Sequence, residues 1–518
     1  MLILRNLLKF RIVIALILFG VSLQLLAQKD YVRVDGTIFR DADGRMLMLR
    51  GMNYVNKDKA NKFLNLTKDE AFVNLKKWGY NAVRMGVNWS ALEPHPGQYD
   101  TTYLKDLDTR LEYARQHGIY VILDMHQDLY GIKFGNGAPL WATLDDDLPH
   151  YTGGVWSDAY YISPAAQTSF DNFWKNTPAA DEIGVQDHYI KTWAMLAERY
   201  KEDKNIIGFD VMNEPFIGTS VEQVLGVMLM EMTDALNKIN PEKQYSVKEV
   251  GGMWIDEQGK NFILQNLTHK DVFVKVLEKM EPIYSHFEKS ALMLFYTNFA
   301  KAVRKVNTEH ILFWEPSVSS NNGIPSSIST VSEAGTQQAY MSHLYDIVLD
   351  TELSGEADGN RVEYMFHQLA TSREKLNLPT IVGEWGAFYS GSKELMGAAK
   401  LMTDGIDSLL FGDFYWSYYK EMGNQILFQK VLLRPYMQAA TGKILKQTIQ
   451  GNTFEISWQE AKKSKSKNLI FLPYTKNLNI QGKVKYNKID LENSGSCILE
   501  IAPIKKSKKR QLTISWED

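Results

Sequence analysis

One unit recurs along the chain and limits what it can fold into. Short apolar runs rich in Val, Ile, Phe and Tyr alternate with longer stretches whose apolar residues return at helical spacing, the pattern of successive βα units. The runs are Met46–Met52, Tyr80–Met85, Ile119–Met125, Ile206–Met212, His310–Trp314, Ala339–His343, Thr380–Gly383 and Phe411–Trp416. Helices are expected at Lys68–Trp78, Tyr103–His117, Val185–Tyr200, Lys289–Val306, Arg361–Leu376 and Ser392–Ser408. Parallel strands in this number, joined by crossover helices, close into a (β/α)8 TIM barrel rather than an open sheet. With 518 residues, 45% of them hydrophobic, the chain can bury such a core and carry a smaller second domain.

Three stretches break the repeat. Gly131–Ala180, rich in Gly, Pro, Trp and Tyr, is expected to be a long loop over the barrel mouth. Pro215–His286 is an insertion in which Val221–Lys238 carries Val224, Leu225, Met228, Leu229, Met232 and Leu236 at helical spacing, either as ordinary core or as a Met-rich surface for a lipid chain. After Arg434-Pro435 helical periodicity gives way to short alternating strands at Thr453–Trp458, Asn468–Leu472, Cys497–Ile501 and Gln511–Trp516, the pattern of a small all-β sandwich. The expected domains are therefore a catalytic barrel over residues 28–434 and a C-terminal sandwich over 435–518, with the Lys-rich stretches Lys462–Lys467 and Lys505–Arg510 as solvated turns. Arg5, Lys9 and Arg11 precede an apolar run from Ile12 to Ala27, too short to span a bilayer of about 20 residues. Residues 1–27 read as a signal peptide cleaved near Ala27, with an uncleaved anchor as the alternative, so the protein is expected to be secreted, periplasmic or at the cell surface.

Composition removes several classes of function. A net charge of -3 with dispersed basic residues lacks the footprint of a nucleic-acid binder. Cys497 is the single cysteine, which excludes an internal disulfide and a Cys-based metal site. His126 and His343 supply two imidazoles without a helical His pair, so no metal is expected. Ser390-Gly391-Ser392 lies in a polar loop rather than a nucleophile elbow, and the Gly-rich nucleotide fingerprints are missing.

Each apolar run ends in a group that can ionise or hydrogen-bond: Asn53, Arg84, His126, Asn213-Glu214, Glu315, His343, Glu384 and Trp416. A barrel site is assembled from the C-terminal ends of different strands, so these residues would converge. Retaining cleavage of a glycosidic bond needs one carboxyl to protonate the leaving oxygen and another to attack the anomeric carbon, ~5–5.5 Å apart. Val211-Met212-Asn213-Glu214-Pro215 and Ile381-Val382-Gly383-Glu384-Trp385-Gly386 offer that pair at strand ends four and seven. Glu214 is expected to be the proton donor, kept protonated by the charge of Glu384, and Glu384 the nucleophile, with its pKa lowered by Arg84. Asp124 and His126 share one side of their strand, where the imidazole can bond a sugar hydroxyl. Asn213 would reach the 2-hydroxyl, Tyr345 could bond the nucleophile, and Trp416 could floor the ring, with Trp89, Trp141 and Trp174 further along a groove. The chemistry needs no cofactor.

With these residues in place, the chain resembles glycoside hydrolase family five. Asn213–Pro215, Gly383–Gly386, Arg84, His126, the His-x-Tyr at His343 and Tyr345, and Trp416 carry the resemblance, which covers about Val34 to Arg434. Within the family it most resembles endoglycoceramidases and glycosylceramidases, through Gly51–Lys57, Asp124–Asp128, Gly135–Pro139, Trp314–Pro316 and Arg434–Tyr436. That resemblance implies sugar contacts from Lys57, Asp128 and Trp174, an apolar slot for the lipid near Val221–Lys238, and hydrolysis of the β-glucosyl linkage between oligosaccharide and ceramide. The partner expected is a glycolipid or glycan, met by a monomer in transient contact with a membrane surface. An endo-β-glucanase or mannanase acting on polysaccharide is one alternative, and an inactive glycan-binding barrel is another.

Overall fold

In the computed structural model, the described residues are 31–518 apart from 65–68, 267–268, 350, 352, 463, 475, 493, 505 and 518. The expected signal peptide over residues 1–27 lies outside them. Eight parallel strands close into a barrel in chain order: Arg50–Tyr54, Ala82–Val87, Tyr120–Met125, Ile206–Asp210, Ile311–Trp314, Gln338–Leu344, Thr380–Gly386 and Gly412–Trp416. Their near-continuous burial follows from being covered on one side by helices and on the other by the barrel interior. The helices between them include Thr101–Gln116, Val185–Arg199, Gly359–Leu376 and Met396–Leu409.

The two-residue period of a strand sorts the barrel interior into layers. Ala82, Ile122, Ile311, Ala339 and Ile381 form an apolar layer near the base, together with Phe313 and Met341. One or two pleats further along the same strands stand Arg84, Asp124, Glu315 and His343, all buried. Strand polarity alone therefore brings the ionisable groups to the C-terminal mouth.

The expected first strand, Met46–Met52, proves to be two elements. Met46–Leu47 belongs to an outer antiparallel sheet and only Arg50–Tyr54 enters the barrel. Both halves are buried, so hydrophobic periodicity does not register the join between them. That outer sheet has seven strands, in which Arg33–Asp35, Ile38–Arg40 and Met46–Leu47 continue into Tyr436–Ala440 and three further C-terminal strands. A four-stranded antiparallel sheet completes the C-terminal region around Trp458, Phe471 and Ile514. Arg50, Asp407, Asp413 and Arg434 form a buried ion-pair cluster between barrel and sandwich. Arg50 also lies 4.2 Å from the Tyr436 ring centroid, which gives Arg434-Pro435-Tyr436 a structural role at this junction.

The Gly131–Ala180 stretch is not a continuous loop. It contains a helix at Pro164–Trp174, started by Ser163, whose side chain accepts from the Ala166 N–H, with Pro164 in the first turn. The Pro215–His286 insertion folds into helices at Val221–Ile239, Val247–Ile255, Glu257–Asn266 and Lys270–Phe287. No described helix is long and apolar enough to cross a membrane.

Candidate active site

Arg84 organises the mouth of the barrel from the second strand. Its Nε donates to Asp210 Oδ2 at 2.7 Å, Nη1 to Glu384 Oε1 at 2.6 Å, and Nη2 to Glu315 Oε1 at 3.0 Å and Asn213 Oδ1 at 2.8 Å. Asp124 Oδ1 is 2.9 Å from the same Nη2. Burial works against the guanidinium charge, but these carboxylates hold its pKa well above its ordinary value. Burial and the neighbouring Glu315 push the Asp210 pKa well above its ordinary value, against the pull of Arg84. Glu315 is held ionised against burial by His343 and Arg84.

Glu214 follows the fourth strand with a left-handed backbone, φ +48°. Such a conformation in a non-glycine residue stores roughly 1–3 kcal/mol and needs fixing by its surroundings. Its N–H donates to Glu315 Oε2 at 2.9 Å, while Asn321 Nδ2 donates to its Oε1 at 2.6 Å. His343 Nδ1 lies 2.9 Å from the same oxygen and 3.6 Å from Glu384 Oε2. Burial opposes a charged imidazole, yet Glu315 and Glu384 raise the His343 pKa well above its usual value, so the ring is a cation that donates to Glu214.

Glu384 sits where the seventh strand bulges. Its pairing with both neighbours shifts register between Val382 and Trp385, which turns the Glu384 side chain into the mouth. Gly383 permits this, because a Cβ there would stand 2.6 Å from Met341 Cγ and 3.1 Å from His343 Cδ2. Tyr345 donates to Glu384 Oε2 at 3.0 Å, opposite the Arg84 bond to Oε1. Arg84 favours the ionised Glu384, as expected, without deciding its pKa. Arg84 and His343 do pull it down, but burial outweighs them and the carboxyl lies above its ordinary range.

One carboxylate oxygen from each glutamate and a ring nitrogen of His343 lie within 4.8 Å of one another. Such spacing suits attack on a sugar held between the carboxyls and is too tight for an inverting pair, ~6.5–9.5 Å apart. The same three residues are the group among the described residues with metal-ligand spacing. Arg84 and Tyr345 bind the two oxygens of Glu384, and Asn321 binds Oε1 of Glu214.

A cavity of about 590 Å³ opens onto this pair. Lys57, Asp128, Glu214, Tyr345, Glu384 and Trp416 line its polar end. Lys57 Nζ pairs with Asp128 Oδ2 at 2.6 Å and lies 4.3 Å from the Trp416 ring centroid. Burial disfavours both charges, but each sustains the other, raising the Lys57 pKa and holding Asp128 far below the usual carboxylate range. Trp416 stacks on His126 at 5.3 Å and 15°, and Asp124 fixes the other face of the site by bonding His126 Nδ1 at 2.8 Å.

The remaining expected residues stand behind this lining rather than in it. Arg84, Asp124, His126, Glu315 and His343 are buried partners of the lining groups. Asn213, expected at the 2-hydroxyl, has its amide occupied by Arg84 and by the Gln127 carbonyl, to which Nδ2 donates at 2.9 Å. Trp174 packs against Phe287 and Phe295 and donates to the Phe216 carbonyl at 2.7 Å, so it is not a sugar platform here. Trp89 is likewise buried against Trp141 and Tyr189. Their apolar surroundings absorb the rings before a groove can. Trp156, Tyr160, Tyr161 and Tyr389 line the cavity as well, beside Tyr345 and Trp416. Asn321 and Asp210 escaped the sequence reading as well. Asn321 follows Trp314-Glu315-Pro316 in a polar loop after a strand end, a signal that could have pointed to it.

Residues 40–261 match the family model for cellulase (glycosyl hydrolase family 5). An endoglycoceramidase I of Rhodococcus hoagii is 30% identical over 226 residues, 40% of this chain and 44% of that protein. A glucosylceramidase of Aspergillus fumigatus is 25% identical over 429 residues, 61% of this chain and 56% of the relative. The chain thus spans about half the length of these relatives. The structure of endo-glycoceramidase II from Rhodococcus sp. superposes with a TM-score of 0.71 at 23% identity, covering 94% of this chain and 100% of that one. Residues 40–261 thus resemble glycosyl hydrolase family 5, and the chain is similar to endoglycoceramidases and glucosylceramidases in sequence and to endo-glycoceramidase II in fold.

Proposed function

We propose that the chain is a retaining β-glycoside hydrolase that cleaves the β-glucosyl linkage to ceramide in glycosphingolipids. One observation carries this reading: the cavity that meets Glu214 and Glu384 at its polar end is continued by Met228, Met232, Phe273, Leu277 and Met280 at its other end. A polysaccharide enzyme needs an open run of sugar platforms, whereas here the leaving-group side becomes apolar. Relatives named endoglycoceramidase and glucosylceramidase, and a ganglioside GM3 complex of endo-glycoceramidase II, support the same substrate class.

The steps follow from the contacts. Glu384, oriented by Arg84 and Tyr345, attacks the anomeric carbon while Glu214 gives its proton to the glycosidic oxygen, which departs with the lipid as an alcohol. Asn321 and His343 both bind Oε1 of Glu214, leaving Oε2 to handle the proton. Glu214 then removes a proton from water, whose oxygen attacks the glycosyl-enzyme ester and restores the Glu384 carboxylate. The Lys57–Asp128 pair and Trp416 would hold the sugar. The signal read at residues 1–27 would place the enzyme outside the cytoplasm, as a monomer meeting its lipid at a membrane surface.

Incubation with detergent-dispersed glycosylceramide and mass spectrometry of the products tests the proposal. Free ceramide together with the intact sugar portion is expected, and Glu384→Gln should abolish both. Hydrolysis of soluble β-glucan with no ceramide released would decide for a polysaccharide enzyme.

A further inference from the structure

The helical insertion offers more apolar surface than one slot. A second chamber of about 130 Å³ lies beside the main cavity, lined by Ile162, Leu225, Leu229, Gly251 and Ile255 as well as by Asp158, Tyr161 and Trp254. The last three residues also line the main cavity, so their side chains form the partition between the chambers. Lys260 closes that partition by pairing with Asp158 Oδ1 at 2.7 Å, its Nζ 5.2 Å from the Trp254 ring centroid.

The two chambers are built on neighbouring stripes of one helix. In Val221–Ile239, Met228 and Met232 face the main cavity, while Leu225 and Leu229, each one position after a member of the four-residue repeat Val224, Met228 and Met232, face the smaller chamber. The helix is thus a divider with an apolar surface on both sides. The lining residues of the smaller chamber are half-buried and Ile255 is 57% exposed, so it is an apolar recess open to solvent rather than a closed cavity. It suits a short hydrocarbon segment and rejects a sugar, since its walls offer Asp158 as the polar exception and that group is already paired.

Building on the glycolipid reading, we propose that the smaller chamber binds one hydrocarbon chain of a two-chain lipid while the main slot takes the other. The enzyme therefore selects substrates whose aglycone branches close to the glycosidic bond, and single-chain glycolipids leave the chamber unused. Gly251 provides the means to test it. A Cβ at this position would meet Leu229 Cδ1 at 3.4 Å, an ordinary contact, so a larger side chain can grow into the chamber without displacing backbone.

The experiment compares Gly251→Leu and Gly251→Ala with the parent enzyme on glucosylceramide and on glucosylsphingosine in the same detergent. Filling the chamber should lower kcat/KM for the two-chain substrate about tenfold, the equivalent of roughly two methylenes left unburied, and leave the single-chain substrate unchanged. Gly251→Ala, which adds one methyl group, should stay close to the parent on both. Equal losses on both substrates, or none on either, would overturn the chamber assignment. Release of no lipid from either substrate by the parent enzyme would instead remove the functional reading on which it rests.

Discussion

Asn321 donates a 2.6 Å hydrogen bond to Oε1 of Glu214 from the loop that follows the fifth barrel strand. The loop is held by a buried carboxylate, because Glu288 Oε1 accepts from the Ser317 N–H at 2.8 Å and from Ser317 Oγ at 2.9 Å. Glu214 becomes a carboxylate as it gives up its proton, and a hydrogen bond to a charged group contributes about 1.5–3 kcal/mol, so Asn321→Ala should cost roughly ten- to a hundredfold in kcat. The loss should depend on the leaving group. An alkoxide such as a lipid oxygen requires the proton from Glu214, whereas a nitrophenolate leaves without one. Steady-state rates on glycosylceramide and on a nitrophenyl β-glucoside should therefore separate, and an equal loss on both would show that Asn321 acts through the fold alone.

Turnover requires Glu384 as the carboxylate. Burial raises its pKa above the ordinary glutamate range, with His343 and Arg84 opposing. The acid limb of kcat/KM should accordingly lie above that range, and activity should fall as pH drops through it. His343→Gln removes a cation that favours the ionised form, so the limb should move to higher pH. The pH–rate profile on an aryl β-glucoside measures this, and a limb displaced to lower pH would contradict the electrostatic assignment.

How far the site could be read in advance follows from strand geometry. Arg84, Asp124, Glu315 and His343 were visible because each stands at a strand end, where period-two alternation and barrel closure decide its direction. The same rule does not reach Asn321 or Trp156, which lie in loops whose paths depend on packing between distant segments. Nor does it distinguish a tryptophan on a cavity wall from one in the core. Trp174 and Trp416 are alike in sequence terms, yet Phe287 and Phe295 enclose the first and Lys57 covers the second. The barrel was legible for the reason that the split of Met46–Met52 was not: burial produces the periodic signal, and the junction with the sandwich is as buried as the barrel itself.

At that junction, Arg434 and Arg50 hold the Asp407 carboxyl below the usual aspartate range even though burial pushes it up. A depressed folded-state pKa contributes stability that is present above the unfolded value and is lost as pH falls through the folded one. Asp407→Asn leaves the two arginines with Asp413 as their remaining carboxylate, and breaking a buried pair in this way costs about 3–5 kcal/mol. Urea midpoints should show the full deficit near neutral pH and a narrowing gap between parent and variant at strongly acidic pH. A constant gap across that range would mean that packing rather than charge sets the cost.

The wall of the main cavity offers a prediction that separates lipid binding from catalysis. Met228 and Met232 lie on the apolar continuation of a cavity whose other end holds both glutamates. Met228→Glu places a carboxylate where the lipid chain would lie, and an unpaired charge cannot be buried under hydrocarbon without a penalty of several kcal/mol. Glycosylceramide should then lose most of its kcat/KM, chiefly through a higher KM. A short nitrophenyl β-glucoside occupies only the polar end and should be hydrolysed as before, since neither Arg84, His343 nor Tyr345 touches this helix. Parallel losses on both substrates would indicate that the helical insertion supports the fold of the mouth and does not receive the lipid.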